Sequence, residues 1–215
     1  MSDAENNTNS EDNVPVRKRP KPGERRIQIL QALASMLEQP GAERITTAAL
    51  AARLEVSEAA LYRHFASKAQ MFEGLIEFIE QAVFTLVGQI AEREASATDP
   101  AAGVRHAGKV ATMLLQFAEK NPGMVRVMVG DALVYENERL QQRMNQFFDK
   151  VESTLKQCLR DGAQSGGSMT PTADAQVQAS VLTAFVVGRL QRFARSGFRR
   201  PPTEHLEAAM GQLLR

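Results

Sequence analysis

The chain has 215 residues, of which 24% are charged, 43% hydrophobic and 6% aromatic. At about 100–200 residues per domain, this is one large or two small domains with a sizeable core. The single cysteine, Cys158, excludes an intramolecular disulfide framework and a cysteine zinc site within one chain. Three scattered histidines argue against a metal enzyme. No run approaches the roughly 18 apolar residues that a membrane span needs, and the N-terminus does not resemble a signal sequence. We therefore expect a cytoplasmic protein without a membrane span.

The net charge of +1 conceals an uneven distribution. Residues 1–15 carry four acids and no Lys or Arg, residues 16–68 carry ten Lys or Arg against five Asp or Glu, and the remainder is balanced. A positive excess confined to one quarter of the chain indicates a local anionic partner, unless half of it is only a solubilising tail.

Residues 1–22 are rich in Asn, Asp, Glu, Ser and Pro. They have too few apolar side chains for burial to offset the conformational entropy that an ordered segment loses. We therefore expect a disordered arm, acidic at first and basic where it meets the first helix. Its basic residues, Arg17, Lys18, Arg19 and Lys21, suit DNA backbone or minor-groove contacts. A solvated tail without contacts is the equal alternative.

The rest of the chain has helical periodicity, and no useful length shows the period-2 alternation of a strand. The pattern therefore predicts an all-α fold. Capping residues, prolines and glycines predict where the helices begin and end. Up to residue 122 they predict helices at Glu24–Glu38, Thr46 or Thr47 to Leu54, Ser57–Phe65 and Ser67 to about Ala95, and two further helix starts at Asp99-Pro100 and Asn121-Pro122. Beyond it they predict helices at Asn137–Arg160, with a stop at Gly162, at Thr172–Ser196, with a stop at Gly197, and at Thr203–Leu214, and a linker at Gly162–Thr170.

The short helices of residues 24–65 are too small for a catalytic cleft, but their spacing is that of a helix-turn-helix. The small residues 48–52 allow close approach, with Val56 and Leu61 between the helices. Exposed polar groups on the third helix suit phosphates and guanine edges, and an alanine methyl suits thymine. The predicted DNA-facing set is Ser57, Glu58, Ala60, Tyr62, Arg63 and His64, with Lys68 reaching a phosphate from the first turn of the fourth helix.

Structural roles compete for some of these positions. Tyr62 and Phe65 are more often core residues than base readers, and we expect Phe65 to be core. For His64 there are two equal alternatives. It is either an ordinary surface or capping residue, or a contact to a DNA phosphate.

The segment RITTAALAARLEVSEAALYRHFASK, residues 44–68, resembles the DNA-binding domain of TetR-family regulators, and VSEAALYRHF followed by Ser-Lys is a specific mark of that family. The resemblance implies an all-α homodimer with an N-terminal three-helix helix-turn-helix domain and a C-terminal helical dimerisation domain. It implies no catalytic activity and no cofactor. We expect an arm at 1–22, the DNA-binding domain at 23–68, and the dimerisation and partner-binding core at 69–215. The reader positions that match the family's are Thr46, Thr47, Ser57, Tyr62, Arg63, His64 and Lys68.

The resemblance extends beyond the family level, because the segments at 67–80, 119–123, 149–152 and 192–196 resemble those of nucleoid occlusion factors within that family. The likeness implies binding to dispersed chromosomal palindromes, a nucleoid-associated location, and antagonism of the division GTPase FtsZ. Phe78 and Asn121 match the FtsZ-contacting surface by position. For Phe78, an ordinary core aromatic on an amphipathic helix is the equal alternative. Three other positions of that surface depart from the pattern. Lys120 stands where arginine is usual, which keeps the charge but loses the two parallel hydrogen bonds that a guanidinium donates. Leu86 stands where a basic residue is expected, and Gln116 stands where glycine is expected.

Glu55 is a further departure, because this turn usually carries glycine in the family. A left-handed backbone there costs Glu roughly 1 kcal/mol relative to Gly, unless the turn adopts another geometry.

The C-terminal half has two apolar faces. Phe147, Val151, Leu155 and Cys158 have core spacing, so we expect a buried, inert thiol. Val181, Leu182, Phe185, Val186, Leu190 and Phe193 form a face broader than one chain needs, which is typical of a dimer bundle. Arginines lie nearby at positions 189, 192, 195, 199 and 200. Their positive charges are typical of a solvated helix face and complement the negative C-terminal end of the helix dipole.

Two other functions remain open. A ligand-responsive TetR-type repressor would share the DNA-binding residues and would need a pocket between the long helices, for which the apolar residues 110–134 leave room. A helical adaptor that does not bind DNA would lack the steep salt dependence of duplex binding.

Overall fold

The computed structural model describes residues 23–39, 45–94, 101–165, 167 and 169–214, and among them it contains helices and turns but no β-strand. The predicted all-α fold is therefore confirmed. The helices are α1 Glu24–Leu37, α2 Thr47–Arg53, α3 Glu58–Tyr62, α4 Lys68–Glu94, α5 Ala102–Lys120, α6 Pro122–Met128, α7 Glu138–Ser165, α8 Pro171–Arg195 and α9 Leu206–Leu213, with a 3-10 turn at Asp131–Leu133.

The first three helices and the start of α4 form a small helical unit whose core is continuous with that of the later helices. Leu33 and Leu37 of α1 pack with Leu50 of α2 and with Leu61 and Phe65 at the end of α3, and all five are almost fully buried. The polar faces of α2 and α3 are left at the surface. This small domain therefore presents α3 outward on a buried support.

Helices α4, α5, α7 and α8 form the main bundle, in which α7 and α8 pair most extensively. Phe147 of α7 meets Phe84 of α4 edge to face, with ring centroids 5.8 Å apart. Helix α6 packs on α1 and also on α8, so it joins the small domain to the bundle.

Gly162 does not end α7, which continues to Ser165. The prediction of a stop there was wrong, because this glycine serves a close helix crossing. A Cβ added at Gly103 of α5 would overlap the carbonyl oxygen of Cys158 and lie 2.6 Å from the nitrogen of Gly162. Both glycines thus allow α5 and α7 to touch backbone to backbone.

Two other boundaries differ from expectation, and one expected cap is not formed. Helix α3 ends at Tyr62 rather than Phe65, and α9 begins at Leu206 rather than Thr203, where His205 has a left-handed φ of 52°. Asn121 does not cap α6; its side-chain Nδ2 donates to the carbonyl of Phe117 at 2.7 Å and so closes α5 instead. Pro122 does occupy the first turn of α6. Asp99 and Pro100 lie outside the described residues.

Ser67 opens α4 as expected, since its Oγ accepts from the backbone N–H of Gln70 at 3.2 Å. The return bond of the capping box goes one residue further back, because Gln70 Oε1 accepts from the N–H of Ala66 at 2.9 Å.

In the described part of the chain, the segment Lys68–Arg93 is long and apolar enough to cross a membrane by length and composition. Glu73, Glu77 and Glu80 interrupt its apolar residues, so the segment contains no unbroken apolar run of that length. Core helices of soluble proteins pass the same test, and α4 packs Met71, Leu75 and Ile79 into the core without exposure.

The broad apolar face of α8 divides in two. Leu182, Val186, Leu190 and Phe193 are buried within the chain's own core, so this part needs no second chain. Val177 and Val181 remain 67% and 47% exposed. The stripe available to a partner is therefore narrower than the sequence indicated.

Cys158 is buried, as predicted. Desolvation by burial, reinforced by the nearby charge of Asp161, raises the pKa of its thiol to about 11. A neutral thiol in this position is unreactive at ordinary pH.

Candidate nucleic-acid interface

The two short helices of the helix-turn-helix each begin with a side-chain cap. Thr46 Oγ1 accepts from the N–H of Ala49 at 3.1 Å, and Ser57 Oγ accepts from the N–H of Ala60 at 3.3 Å. Caps of this kind satisfy amide groups that a helix start leaves without a partner. The local sequence therefore fixes where α2 and α3 begin.

The turn between the helices contains Glu55 in the left-handed conformation, with φ 53°. The backbone N–H of Val56 then bonds the carbonyl of Ala51 at 3.0 Å. The turn thus keeps the geometry that usually selects glycine and accepts a cost of roughly 1 kcal/mol.

Only part of the alanine-rich run on α2 lies between the helices. Leu50 and Ala51 are buried, whereas Ala48, Ala49 and Ala52 are exposed. The expectation that all five residues serve close packing was wrong. An amphipathic helix buries one face, and here three small side chains are at the surface beside α3.

The outer surface of α3 and of the residues after it carries the predicted reader side chains. Ser57, Glu58, Tyr62, Arg63 and His64 are exposed and Ala60 is partly exposed. Phe65 is 1% exposed and belongs to the core, as expected. The predicted third-helix positions are thus all accessible at the surface, Ala60 in part.

A hydrogen-bonded group links this surface to the start of α2. Thr47 Oγ1 donates to Glu58 Oε2 at 2.6 Å, and Tyr62 Oη donates to Thr47 Oγ1 at 3.4 Å. Thr46 is exposed and Thr47 is partly exposed beside them. These bonds hold an acidic group within the surface and orient the tyrosine.

Arg26 is a residue that sequence reasoning did not place in the site. Its guanidinium donates to the carbonyl of His64 at 2.7 Å and lies 4.1 Å from the ring centroid of Phe65. Arg26 therefore fastens α1 to the end of α3. No local pattern signals a contact across 38 residues.

Lys68 lies at the N-terminus of α4, near the same surface, but its ammonium group already has a partner. Nζ lies 2.5 Å from Glu136 Oε1, and the side chains are 32% and 11% exposed. Glu136 belongs to the segment before α7, so this ion pair joins the start of α4 to the core.

The remaining predicted contacts fall elsewhere. Arg17, Lys18, Arg19 and Lys21 lie outside the described residues. Phe78 is 45% exposed and is not a core aromatic; it borders a small apolar pocket between α1 and α4 with Ile27 and Met124. Leu86 and Asn121 are partly buried, and Gln116 and Lys120 are exposed.

Gln116 lines a different and larger cleft, of about 1040 Å³, between the ends of α4 and α9 and the outer face of α5. Ile90, Met113 and Met210 supply apolar walls, while Arg93 and Arg105 line it with charge. Of the predicted partner-binding residues, Phe78 and Gln116 thus line two different pockets, and Leu86, Lys120 and Asn121 line neither of them.

Two family models match the chain. Residues 29–75 match the bacterial regulatory proteins of the tetR family, and residues 104–215 match the C-terminal domain of tetracyclin repressor-like proteins in its SlmA-like form. The first match contains α2, α3 and the start of α4, and the second contains most of the bundle.

Full-length relatives and solved structures agree with these models. The chain is 49% identical over 184 residues to nucleoid occlusion factor SlmA of Idiomarina loihiensis, covering 86% of this chain and 90% of that protein. It is 50% identical over 188 residues to SlmA of Vibrio vulnificus, covering 87% and 92%.

The solved structure of the regulator FadR from Bacillus subtilis, in complex with stearoyl-CoA, superposes with a TM-score of 0.69 at 14% identity, covering 87% of this chain and 97% of that one. The TetR-family regulator PfmR from Thermus thermophilus gives 0.63 at 22% identity, covering 87% and 97%. These two likenesses concern the fold. By its family models and its full-length relatives, the chain belongs to the TetR family, in the group of the SlmA proteins.

Proposed function

We propose that this protein is a DNA-binding nucleoid occlusion factor, which binds palindromic sites dispersed over the chromosome and antagonises FtsZ assembly there. The observation that carries the proposal is the identity of about 50% over some 90% of the SlmA proteins. The exposed surface of α3, on a buried support, favours duplex DNA as the first partner.

The DNA-binding unit is residues 23–68, and the core at 69–215 holds the dimer and the partner surface. Arg63 and His64 contact phosphates or base edges, Thr46, Thr47, Ser57 and Tyr62 assist, and the arm adds contacts from 17–21. Exposed Val177 and Val181 on α8 support a homodimer, since apolar residues on a helix face favour burial. A dimer reads a palindrome because each protomer faces one half-site.

The FtsZ contact centres on Phe78. An aromatic ring at 45% exposure beside an apolar pocket is suited to anchor an apolar side chain of a partner. Lys120 adds a positive charge at the end of α5, and Leu86, Gln116 and Asn121 complete the surface. The protein would then act in the cytoplasm on the nucleoid, as a binding protein rather than an enzyme.

A ligand-responsive repressor is the second candidate, and the cleft of about 1040 Å³ favours it. Its lining combines apolar side chains with three cationic residues, Arg93, Arg105 and Lys109, against one carboxylate, Glu207. This balance suits an amphipathic anion. Binding of such a ligand would have to change DNA affinity for this function to hold.

FtsZ polymerisation, followed by light scattering with and without a bound duplex, tests the proposal. We expect the protein with duplex to reduce assembly and Phe78→Ala to lose this effect while its duplex affinity stays unchanged. Val134→Ala is the matched control, because Val134 is also an exposed apolar residue. If wild-type protein leaves FtsZ assembly unchanged in both conditions, nucleoid occlusion is wrong. If Phe78→Ala inhibits as wild type does, the assigned surface is wrong.

A further inference from the structure

A concentrated positive patch lies at the C-terminal end of α8 and in the turn that follows it. Arg189, Arg192, Arg199 and Arg200 line a cleft of about 480 Å³, together with Pro201, Glu204 and His205. We call these four arginines the arginine cluster. One carboxylate among the lining residues, Glu204, leaves the cluster with a strong positive excess.

The turn that carries Arg199 and Arg200 is tightly built. Ser196 Oγ accepts from both of their backbone N–H groups, at 3.1 and 3.0 Å. Phe198 adopts a left-handed φ of 62° and packs edge to face on Phe193, with centroids 5.1 Å apart. A non-glycine residue held in this conformation costs about 1 kcal/mol or more, and such strain often marks a functional segment.

The helix dipole accounts for only part of the cluster. Arg192 lies in the last turn of α8 and benefits from the negative end of the helix. Arg199 and Arg200 follow the last helical residue by four and five positions, and the dipole effect fades within one turn. Arg199 Nε also donates to the carbonyl of Ser196, the C-cap of α8, at 2.9 Å. The helix end therefore accounts for that one N–H group, and it leaves the terminal nitrogens of Arg199 and the whole of Arg200 to be explained.

The cluster lies at the end of the core that faces the DNA-binding domain. Phe198, in the arginine turn, lies under the guanidinium of Arg126 on α6, at 5.2 Å from its ring centroid. Thr203 bonds Glu119 at the C-terminal end of α5. Helix α6 also packs directly on α1.

The cluster also continues the stripe of α8 that we assign to the dimer. Arg192 lies about three helical turns beyond exposed Val181 on that helix. A dimer that shares this stripe would bring two arginine clusters near the two-fold axis, between the two helix-turn-helix units. Like charges at such close range repel unless an anion lies between them.

We propose that the arginine cluster is a second DNA contact, in which Arg199 and Arg200 of each protomer bind backbone phosphates between the two half-sites. The inference rests on the proposed DNA binding and dimerisation. Phosphates match the site because arginine binds them through a planar fork and the charge excess is complementary. Contacts of this kind add affinity without reading sequence.

Duplex binding at several salt concentrations tests the inference. The probe is the palindromic duplex that the wild-type protein enriches from random-sequence DNA. The variant is Arg199→Ala with Arg200→Ala, and Arg93→Ala with Arg105→Ala is the matched control, since these exposed arginines line the separate cleft between α4, α5 and α9. Loss of four phosphate contacts per dimer should lower the slope of log K against log salt by about 3 to 4, and affinity at physiological salt by at least about tenfold.

The expected result is this flattened slope in the Arg199/Arg200 variant, a slope near wild type in the control, and recovery when both arginines are replaced by lysine. A wild-type slope and affinity in the alanine variant would overturn the inference, as would equal losses in the control. A monomeric alanine variant would also overturn it, because the arginines would then serve the dimer. Arg63→Ala separates the two proposals: if it loses binding while the Arg199/Arg200 variant binds as wild type, only this inference fails.

Discussion

Gly123 gives the most direct test of how the core holds the DNA-binding domain. It lies in α6, and a Cβ built on it would overlap the carbonyl oxygen of Ala34 on α1 and lie 2.8 Å from the carbonyl carbon. Carbon atoms pack best at about 3.5–4.0 Å, so Gly123→Ala forces α1 to withdraw by about 1 Å. Overpacking of this kind costs about 1–3 kcal/mol. For a chain of this size, that lowers Tm by about 2–12 °C.

Gly88→Ala is the matched control. Gly88 also lies inside a helix, but nothing lies within 4 Å of its added Cβ. Alanine there should stabilise the protein by about 0.5–1 kcal/mol, because it favours the helix more than glycine does. Thermal unfolding followed by circular dichroism compares both variants with wild type. Gly123→Ala should also bind a palindromic duplex more weakly at a temperature where both proteins are folded. Wild-type Tm and affinity in Gly123→Ala would refute the packing argument.

Three further predictions concern the site and the core. Arg63→Ala, at an exposed position, should lower duplex affinity about tenfold or more, as measured by fluorescence anisotropy, and should leave the Tm unchanged in thermal melting. Unchanged affinity would show that Arg63 is not part of the site. Glu136→Gln frees Lys68 from its ion pair, so duplex affinity should rise and its salt dependence steepen; a loss of affinity would mean that Glu136 positions the lysine. The pKa of the Cys158 thiol is raised to about 11, so at about pH 8 the folded protein should show negligible thiol labelling. Labelling should be rapid in urea, where the thiol regains an ordinary pKa. Equal labelling rates in the folded and the urea-unfolded protein would contradict burial of the thiol.

The parts of the fold that the sequence predicts well are governed by neighbouring residues. Thr46, Ser57 and Ser67 each cap the helix start that their position indicated. Gly197, with φ 62°, ends α8 where expected. Capping needs only residues three or four apart, so a single sequence contains the necessary information.

The failures involve residues whose partners the local pattern does not reveal. Gly162 reads as a helix stop until its contact with Gly103 on α5 is known. Asn121 reads as a cap for the following helix, although its amide bonds backward to Phe117.

The same limit applies at the candidate site. The exposed positions on α3 follow from helical spacing and the buried Leu61. The ion pair of Lys68 with Glu136 and the bond from Arg26 to His64 span 68 and 38 residues. No periodicity or motif reports such contacts, and they decide which charges of the site are already paired.

A genome-wide binding map of this protein in its own cell tests the central claim most directly, since it requires neither a known operator nor a known ligand. Nucleoid occlusion predicts many dispersed palindromic sites that are depleted around the replication terminus. One peak or a few peaks at promoters, especially beside the protein's own gene, would contradict it and favour the ligand-responsive repressor.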